Sequence, residues 1–511
     1  MGDATRVFGV AVPGVNTRVS NNVLDCLTPS QRDVTDSLAD AFSVAGEELY
    51  LVGGIVRDAL LGRAMFADLD FATSARPPRT RELLESAGAS SVYLVGERFG
   101  TIGAIFGEEP DRLRVEVTTY RREAYPDEHR FPEVAFDATL VDDLARRDFT
   151  MNAIAVNAGT GELIDPWGGE ADVAQALVRA VGDPDERFLE DPLRLLRAGR
   201  FVSQLGFRLD WQTEQAMARQ SSSLARISRE RILAELTLLL LGEYVDHGLD
   251  ALRRTGLLHV ALPEIEPLAA EAEASISARF GREKDLWDHT VRVVRQAPPR
   301  PAVRWAALLH DAGKPLTRSL DLDGEVHFFG HERLGADLAQ SALGRLNADR
   351  TLRTSVRTLV ELHGRPAAYD PSWTDSAVRR LALDSGETWG DLLDLAAADV
   401  TSGREHKRMA AARRIADLRA RFAHLQAQVE LARLESPLDG NDLMRIFDRP
   451  PGPWIKDVKN YLRELVIDGA LAPDDRSGAL QQAQSFLTQE EVSSQSSIAT
   501  ALRPEADASR R

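Results

Sequence analysis

Two neighbouring segments govern the interpretation of this chain: Leu51-Val-Gly53-Gly54-Ile-Val-Arg57-Asp58 and Asp68-Leu-Asp70-Phe-Ala-Thr73. The first segment is an apolar strand that ends at two glycines and continues into a run with helical spacing. Glycines in such a turn let backbone N–H groups approach a phosphate at the positive end of a helix. Arg57 then lies one turn into that helix, from which its side chain reaches the same anion.

The second segment carries a pair of acids in an apolar context. Strand alternation places the carboxylates of Asp68 and Asp70 on one face, with their Cα atoms about 6–7 Å apart. Two acids so placed suit a pair of Mg²⁺ ions, which lie roughly 4 Å apart in two-metal sites. Glu116, in Arg-Val-Glu-Val-Thr, has the same strand context and would complete the cluster. Taken singly, each feature is an ordinary turn or a solvated edge, so the hypothesis depends on their order and spacing.

The rest of the chain divides into two patterns. Short β-branched or aromatic runs alternate with turns from residue 48 to residue 169, and after residue 172 the apolar spacing is helical nearly to the end. Strands followed by helices predict an α+β fold, with a mixed β-sheet in an N-terminal head and an all-helical body. The 511 residues are too many for one core, and 43% hydrophobic with 28% charged residues is a globular composition.

Composition also bounds location and partners. The formal net charge of −17 argues against nucleic-acid binding, unless local basic patches provide it. A single cysteine, Cys26, excludes an internal disulfide and a thiolate zinc cluster and fits a reducing cytoplasm. No stretch of apolar residues is long enough to predict a membrane-spanning segment, and the N-terminus lacks the charged-then-apolar order of a secretory signal. We therefore expect a cytoplasmic protein without a membrane partner.

The two opening segments resemble the signature of class II tRNA nucleotidyltransferases and bacterial poly(A) polymerases. Three later segments agree in order, and the similarity runs from about residue 48 to residue 210. The first is Arg146-Arg147-Asp148-Phe149-Thr150-Met-Asn152-Ala153, which is similar to the family's motif for ribose and phosphate contacts. The second is Asp165-Pro-Trp-Gly168-Gly169, which is similar to the turn that closes the head domain. The third is Glu190-Asp191-Pro-Leu-Arg194-Leu-Leu-Arg197, which is similar to the motif that selects the base.

The resemblance implies a function for each matched residue. Asp68, Asp70 and Glu116 are expected to be catalytic, with the two aspartates binding Mg²⁺. The residues expected to bind the nucleotide are Gly53, Gly54, Arg57, Arg147, Asp148, Asn152, Asp191, Arg194 and Arg197. The implied activity is template-independent addition of CCA to the 3′ end of tRNA from CTP and ATP. A poly(A) polymerase remains an alternative, because both enzymes use the same head.

The base-selecting motif has a physical interpretation. Asp191 and Arg194 are three residues apart, so on one helix they would share a face. The Asp191 carboxylate offers hydrogen-bond acceptors, and the planar Arg194 guanidinium offers several donors. Together they can satisfy the Watson–Crick edge of cytosine or, after reorientation, that of adenine. Glu190 would then position Arg194. The alternative is a surface ion pair. The charged stretch 121–130 matches the family's mobile element for the final A addition, and its length argues mildly against an enzyme limited to CC.

Histidines and aspartates in the second half form another pattern. His289, His310, Asp311 and Asp399 resemble the core ligands of HD-type metal phosphohydrolases, with His331 and His363 as the extra histidines that some members carry. Mixed nitrogen and oxygen ligands suit a divalent metal. The resemblance leaves open whether such a domain hydrolyses phosphoesters or mainly serves as part of the helical body. A hydrolase with a non-catalytic head is therefore a further alternative.

The expected domains follow from these patterns, and the oligomeric state stays open. They are a leader over 1–30, the nucleotidyltransferase head over 31–170, a helical neck for base recognition and RNA binding over 171–275, an HD metal-binding domain over 276–405, a helical RNA-binding module over 406–480 and a disordered tail over 481–511. The stretch from Arg404 to Arg421 is rich in arginine and lysine, which favours either phosphate contacts or an ordinary solvated helix.

Overall fold

The structure is a computed structural model that describes residues 23–63, 68–96, 100–108, 112–124, 133–269, 286–322, 325–401, 404–428 and 435–501. The chain divides into two compact units, residues 1–356 and 357–511. The predicted HD domain, 276–405, therefore falls across two units. Residues 125–130 of the predicted mobile element, 121–130, lie outside the described residues. None of the described helices is long and apolar enough to cross a membrane.

The head is built on a seven-stranded mixed sheet, as the strand-like runs predict. Its strands, in chain order, are β1 Leu49–Val52, β2 Leu69–Thr73, β3 Ser91–Gly96, β4 Thr101–Phe106, β5 Leu113–Thr119, β8 Ala155–Asn157 and β9 Leu163–Ile164. The described strands outside this sheet form three pairs, which are β6 Arg122–Ala124 with β7 Glu133–Ala135, β10 Leu177–Val178 with β11 Arg208–Leu209, and β12 Arg318–Leu320 with β13 Val326–Phe328. The order across the sheet is β3-β4-β5-β2-β1-β8-β9. Within this sheet, β2 and β5 are parallel, and the other described neighbours are antiparallel.

Helices cover the head and form most of the rest of the first unit. In chain order they are α1 Pro29–Val44, α2 Gly54–Leu60, α3 Pro77–Ser86, α4 Leu140–Ala145, α5 Gly169–Ala174, α6 Pro184–Glu190, α7 Leu193–Leu205, α8 Trp211–Gln220, α9 Arg229–Leu240, α10 Val245–Arg254, α11 Leu257–Ala261, α12 Leu286–Gln296, α13 Pro301–Leu309, α14 Lys314–Thr317 and α15 His331–Arg345; α16 Arg350–Leu362 crosses the division between the units. Short 3-10 turns begin at Val23, Thr150, Ser221 and Pro263. The strand-to-helix change along the chain is thus confirmed.

The two faces of the sheet are unequal because the strands alternate. Leu69 and Phe71 of β2 and Val115 and Val117 of β5 point into the main core, where α1 and α3 pack against them. The opposite face carries only a small apolar cluster around Val52, Ala72 and Leu144. Polar side chains can therefore stand on that second face next to a packed layer.

The predicted leader ends earlier than expected. Residues 1–22 lie outside the described residues, but Val23, Leu24 and Leu27 are buried in the main core of the head. Thr28 caps α1 with a capping box that includes Gln31. The leader prediction over 1–30 is therefore wrong for its last eight residues, because three apolar side chains anchor that segment.

The second unit is entirely helical among its described residues. Its helices are α17 Gly364–Ala367, α18 Asp375–Ser385, α19 Trp389–Ala398, α20 Glu405–Gln428, α21 Gly440–Phe447, α22 Pro453–Ile467 and α23 Arg476–Ala501. Asp439 caps α21, and Pro453 begins α22. The tail prediction over 481–511 is wrong as far as Ala501, because Ala483 and Leu487 of α23 pack into the core formed with α22. Residues 502–511 lie outside the described residues.

The arginine-rich stretch has a packing function in part. Arg414 donates to the carbonyl of Ala367 at 3.0 Å, Arg419 pairs with Asp394 at 2.7 Å, and Arg421 pairs with Asp375 at 2.8 Å. These three arginines hold α20 against its neighbours in the second unit. Because these three arginines already have partners within the protein, the other basic residues of the stretch are better candidates for phosphate contacts.

Candidate active site

The acid cluster lies on the sparsely covered face of the sheet. Asp70 is the register partner of Glu116 on the parallel strand β5, and Leu69 between the two aspartates is fully buried. Asp68, just before β2, is therefore on the same side as Asp70. The predicted grouping of Asp68, Asp70 and Glu116 on one face agrees with this register.

The environment of Asp70 suits a cation. The Asp70 side chain is exposed to the cleft, but partial desolvation of its carboxylate, together with the negative charges of Glu116 and Asp68, raises the pKa of Asp70 to about 6 despite the nearby Arg147. A divalent cation would remove the repulsion among these carboxylates. Carboxylate oxygens are also the donors that Mg²⁺ prefers. The residues present thus fit a metal.

The raised pKa makes a prediction for stability. An acid whose pKa rises on folding holds its proton more tightly in the folded chain, so stability falls as the pH rises from about 4 to about 6. We therefore expect the metal-free Asp70→Asn variant to unfold at a higher temperature than the parent at pH 8, and this advantage to shrink towards pH 4.5. Thermal unfolding in a chelator measures it. Asp36→Asn, in an exposed pair with Arg32, is the control, and an advantage independent of pH would contradict the prediction.

The glycine turn lies beside the acid cluster. Gly53 precedes α2 with φ +79° and ψ −136°, a conformation that only glycine adopts readily. A Cβ built on Gly53 would lie 3.4 Å from Nη1 of Arg147 and 3.9 Å from Oδ2 of Asp70. Arg147 and a carboxylate of the acid cluster therefore both lie close to this turn.

The positive φ of Gly53 predicts the effect of a methyl group. Gly53→Ala should lower the free energy of unfolding by about 1–3 kcal/mol through backbone strain and also weaken nucleotide binding, because relief of that strain would shift the backbone N–H groups of the turn. Gly46→Ala is the matched control, since Gly46 also has a positive φ of +76° but an added Cβ would meet no atom within 4 Å. Urea unfolding and nucleotide titration measure both effects. Equal loss of nucleotide affinity in the two variants would contradict the placement of Gly53 beside the bound nucleotide.

Buried carboxylates orient the arginines of the second motif. Asp143 is fully buried and accepts from Arg146 Nε at 2.9 Å and from Arg147 Nη2 at 3.2 Å. Arg57 Nη1 donates to Asn152 Oδ1 at 2.9 Å, and Asn152 Nδ2 donates to Asp148 Oδ1 at 3.0 Å. Asp143 was not among the predicted site residues, although it lies one turn before the motif.

Asp148 links the second motif to the base-selecting motif. Burial raises its pKa, but the Arg197 guanidinium, whose Nε donates to Asp148 Oδ2 at 2.8 Å, and the hydrogen bond from Asn152 lower the pKa to about 2. The carboxylate is therefore ionised at neutral pH and holds Arg197 in place. Asp148 thus acts in this structure as an anchor for Arg197.

The predicted shared helix face of Asp191 and Arg194 is wrong. Helix α6 ends at Glu190, Asp191 has the extended values φ −140° and ψ 98°, and α7 begins at Leu193. Pro192 is the cause, because a residue before proline is disfavoured in the helical conformation. Asp191 instead precedes α7 and accepts a hydrogen bond from the backbone N–H of Leu193, the first residue of that helix, at 3.1 Å.

The structure nevertheless holds both residues in defined orientations. Arg194 is buried, and its donors reach Glu190 Oε2 at 2.7 Å and the carbonyls of Arg187 and Arg146 at 3.0 and 2.7 Å. The expected contact between Glu190 and Arg194 is thus present. Asp191 Oδ2 accepts from Arg231 at 3.0 Å. Lone pairs on Asp191 and donors on Arg194 remain for a ligand.

A cleft of about 620 Å³ collects these groups in the first unit. Its lining, within the described part of the chain, is Gly53, Gly54, Arg57, Asp70, Arg121, Arg146, Arg147, Asp148, Asn152, Asp191, Leu193, Arg194, Arg197, Arg200, Phe201, Gln204 and Arg231. Asp68 and Glu116 stand beside the cleft and do not line it. Eight arginines against three aspartates make this cleft strongly positive in a chain of net charge −17, which resolves the conflict with binding of a polyanion.

Several residues that line the cleft were not predicted from the sequence, for different reasons. Arg200, Phe201 and Gln204 follow Arg197 at helical spacing on α7, so periodicity alone would have found them. The ring of Phe201 packs under Arg57 and Arg200, with guanidinium carbons 5.3 and 4.5 Å from its centroid. Arg231 comes from α9 and has no signal in the sequence.

The predicted HD ligands of the first unit also come together. His310 and Asp311 directly follow α13, and His310 Nε2 lies 3.3 Å from His289 Nε2 and 3.2 Å from Asp311 Oδ2. All three side chains are buried, and His331 Nε2 lies 3.8 Å from Asp311 Oδ1. Lys314 Nζ donates to Asp311 at 2.7 Å. Asp399, at the end of α19, and His363 belong to the second unit.

Similarity to known proteins agrees with this architecture. Three families match in order: "Poly A polymerase head domain" over residues 49–179, "Probable RNA and SrmB- binding site of polymerase A" over 206–268 and "HD domain" over 286–402. The CCA-adding enzyme of Geobacillus sp. (strain WCH70) is 32% identical over 83% of this chain and 90% of its own length. The A-adding tRNA nucleotidyltransferase of Deinococcus radiodurans is 34% identical over 86% of this chain and 94% of its own.

A solved structure shows the same fold. The Bacillus stearothermophilus CCA-adding enzyme in complex with CTP aligns with a TM-score of 0.64 and 26% identity, over 91% of this chain and 100% of the other. The head, with its acid cluster beside a positive cleft, defines a nucleotidyltransferase. The chain belongs to the CCA-adding enzyme family of tRNA nucleotidyltransferases. Both its nucleotidyltransferase and its HD families are metal-dependent.

Proposed function

We propose that this protein completes the 3′ end of tRNA by adding C, C and A from CTP and ATP without a nucleic-acid template. One observation carries the proposal: a single cleft contains Asp70, the glycine turn and the base-reading candidates Asp191 and Arg194. Relatives named CCA-adding enzyme cover most of the chain and support the same activity. The reaction would take place in the cytoplasm.

The residues of the cleft suggest a division of labour. Arg57 and Arg147, beside Gly53 and Gly54, would neutralise the triphosphate, while Arg197, anchored by Asp148, and Asn152 would contact the ribose and phosphates. Asp68, Asp70 and Glu116 would hold Mg²⁺. Bound there, Mg²⁺ would activate the 3′-hydroxyl of the RNA and stabilise the charge on the reacting phosphate. No covalent intermediate is needed, since positioning and electrostatics provide the rate.

Base choice would rest on the fixed pair at the junction of α6 and α7. The exocyclic amino groups of cytosine and adenine donate, and Asp191 accepts. Cytosine N3 and adenine N1 accept, and Arg194 donates. Uracil and guanine present a carbonyl in place of that amino group, which the carboxylate of Asp191 repels.

A direct experiment tests the activity. Purified protein with Mg²⁺ and tRNA lacking its last three nucleotides receives CTP alone, ATP alone, or both. Two additions with CTP and a third, terminating addition once ATP is present support CCA synthesis. A long A-only tail on unrelated RNA would contradict it and indicate a poly(A) polymerase.

Addition of the final A alone is a second candidate. The Deinococcus radiodurans relative named for this activity is 34% identical over 94% of its length, so overall similarity does not separate the two functions. An A-adding enzyme would extend tRNA ending in CC with ATP and leave tRNA lacking all three nucleotides unchanged by CTP. The same assay with both tRNA substrates therefore distinguishes them.

We further infer that His289, His310 and Asp311 of the first unit bind a divalent metal, because their side chains form a buried cluster. We also infer that the head, neck, HD domain and C-terminal module are separate functional regions, and three consecutive family matches support the first three of them. Asp311→Ala should lower the metal content of the purified protein without lowering nucleotide addition. Elemental analysis measures this, and unchanged metal content would contradict it.

A further inference from the structure

A positive side chain stands within the acid cluster. In the register of β2 and β5, Leu69 is opposite Val115 and Asp70 is opposite Glu116, so Arg114 is the neighbour of Asp68. Side chains two residues apart on a strand share a face. Asp68, Asp70, Arg114 and Glu116 therefore form a square on one face of the sheet, with three negative corners and one positive corner.

Contacts hold Arg114 at that corner. Its Nη2 donates to Glu116 Oε1 at 2.6 Å, and its Nε lies 3.9 Å from Asp68 Oδ2. The guanidinium carbon lies 6.0 Å from the centre of the Tyr93 ring. Arg114 thus bridges two of the three carboxylates proposed to hold the metal.

The neighbouring strand makes room for this arrangement. Gly103 of β4 pairs with Glu116 on one side and with Tyr93 of β3 on the other. A Cβ on Gly103 would lie 2.5 Å from Tyr93 Cε2, so only glycine lets the Tyr93 ring lie across β4 towards the acid cluster. The Tyr93 ring then flanks the Arg114 guanidinium on the side away from Asp68.

We propose that Arg114 is an internal counter-ion that competes with the divalent metal for Asp68 and Glu116. The proposal rests on the metal site of the proposed function. In the nucleotide-free enzyme, the guanidinium partly neutralises the acids and weakens metal binding by charge repulsion. When a triphosphate enters, its negative charges outweigh that of Arg114, and the metal and nucleotide bind together. Arg114 is therefore a positioning residue that couples metal binding to nucleotide binding.

The test measures metal binding without catalysis. Mn²⁺ binding to the full-length, nucleotide-free protein is followed by electron paramagnetic resonance, and Asp70→Ala defines the Mn²⁺ that binds elsewhere in the chain. Arg114→Gln should bind Mn²⁺ about tenfold more tightly at the head site, a change of ~1.4 kcal/mol. Arg114→Lys keeps the charge and should stay near the parent. A non-hydrolysable nucleotide should reduce the difference between Arg114→Gln and the parent.

Controls separate the possible failures. Arg79→Gln removes one positive charge from an exposed pair on α3 and should leave Mn²⁺ affinity unchanged. Equal or weaker Mn²⁺ binding by Arg114→Gln, in a variant with the circular dichroism of the parent, would overturn the counter-ion proposal. If Asp70→Ala removes no Mn²⁺ at all, the metal site itself is wrong. A raised KM for nucleotide with unchanged Mn²⁺ affinity would identify Arg114 as a phosphate contact and also overturn the proposal.

Discussion

Asp70→Ala should lower kcat for nucleotide addition about 10³- to 10⁴-fold while the chain stays folded. Asp70 is the acid that both lines the cleft and borders the glycine turn, whereas Asp68 is more than half exposed at the edge of the cluster. Losing a metal-binding carboxylate forfeits several kcal/mol of charge stabilisation in the transition state, and about 1.36 kcal/mol corresponds to tenfold in rate. Single-turnover addition to tRNA measures the effect.

The design separates catalysis from folding. Removal of a carboxylate whose pKa is raised should stabilise the metal-free head at neutral pH, so lost activity cannot reflect unfolding. Asp68→Ala should also abolish transfer if both aspartates bind metal, and Asp36→Ala on α1 serves as the distant control. Transfer within tenfold of the parent in Asp70→Ala would show that the site assignment is wrong.

Asp191→Ala should greatly reduce the discrimination of CTP and ATP from UTP. The variant loses the acceptor for the amino group of cytosine and adenine, so kcat/KM for CTP and ATP should fall about 100-fold. The rate with UTP should rise, because the variant no longer repels the uracil carbonyl. Selectivity for CTP over UTP should therefore fall by more than about 100-fold. Competition between labelled CTP and UTP on one tRNA substrate measures this ratio directly.

A matched control excludes a general disturbance of the neck. Asp185 lies on α6, six residues before Asp191, and pairs with Arg219 away from the cleft lining. Asp185→Ala should keep both the rate and the selectivity of the parent. Should Asp191→Ala lose rate equally with all four nucleotides, Asp191 would have a structural role at the start of α7 and another group would read the base.

The strand with Asp68 and Asp70 shows why part of the site was predictable. Alternation of apolar and polar residues in β2 and β5 requires that acids and core residues occupy opposite faces, so the grouping with Glu116 followed from local pattern. Asp191 and Arg194 show the limit of that reasoning. Spacing suggested a shared helix face, but one proline ends α6, and the pair is held by contacts with Arg231 and with the carbonyl of Arg146.

The amino-acid sequence was enough to predict the α+β architecture and the glycine turn, because strand alternation and turn chemistry act within a few residues of each other. The nucleotide-binding candidates were implied by short motifs that resemble those of a known family. Only the tertiary structure brought Arg231 of α9 to Asp191, buried Asp143 beneath two arginines and set Arg114 opposite Asp68. Such pairings depend on strand register and on helix packing between distant segments. The balance of charge in the cleft is therefore a property of the folded chain.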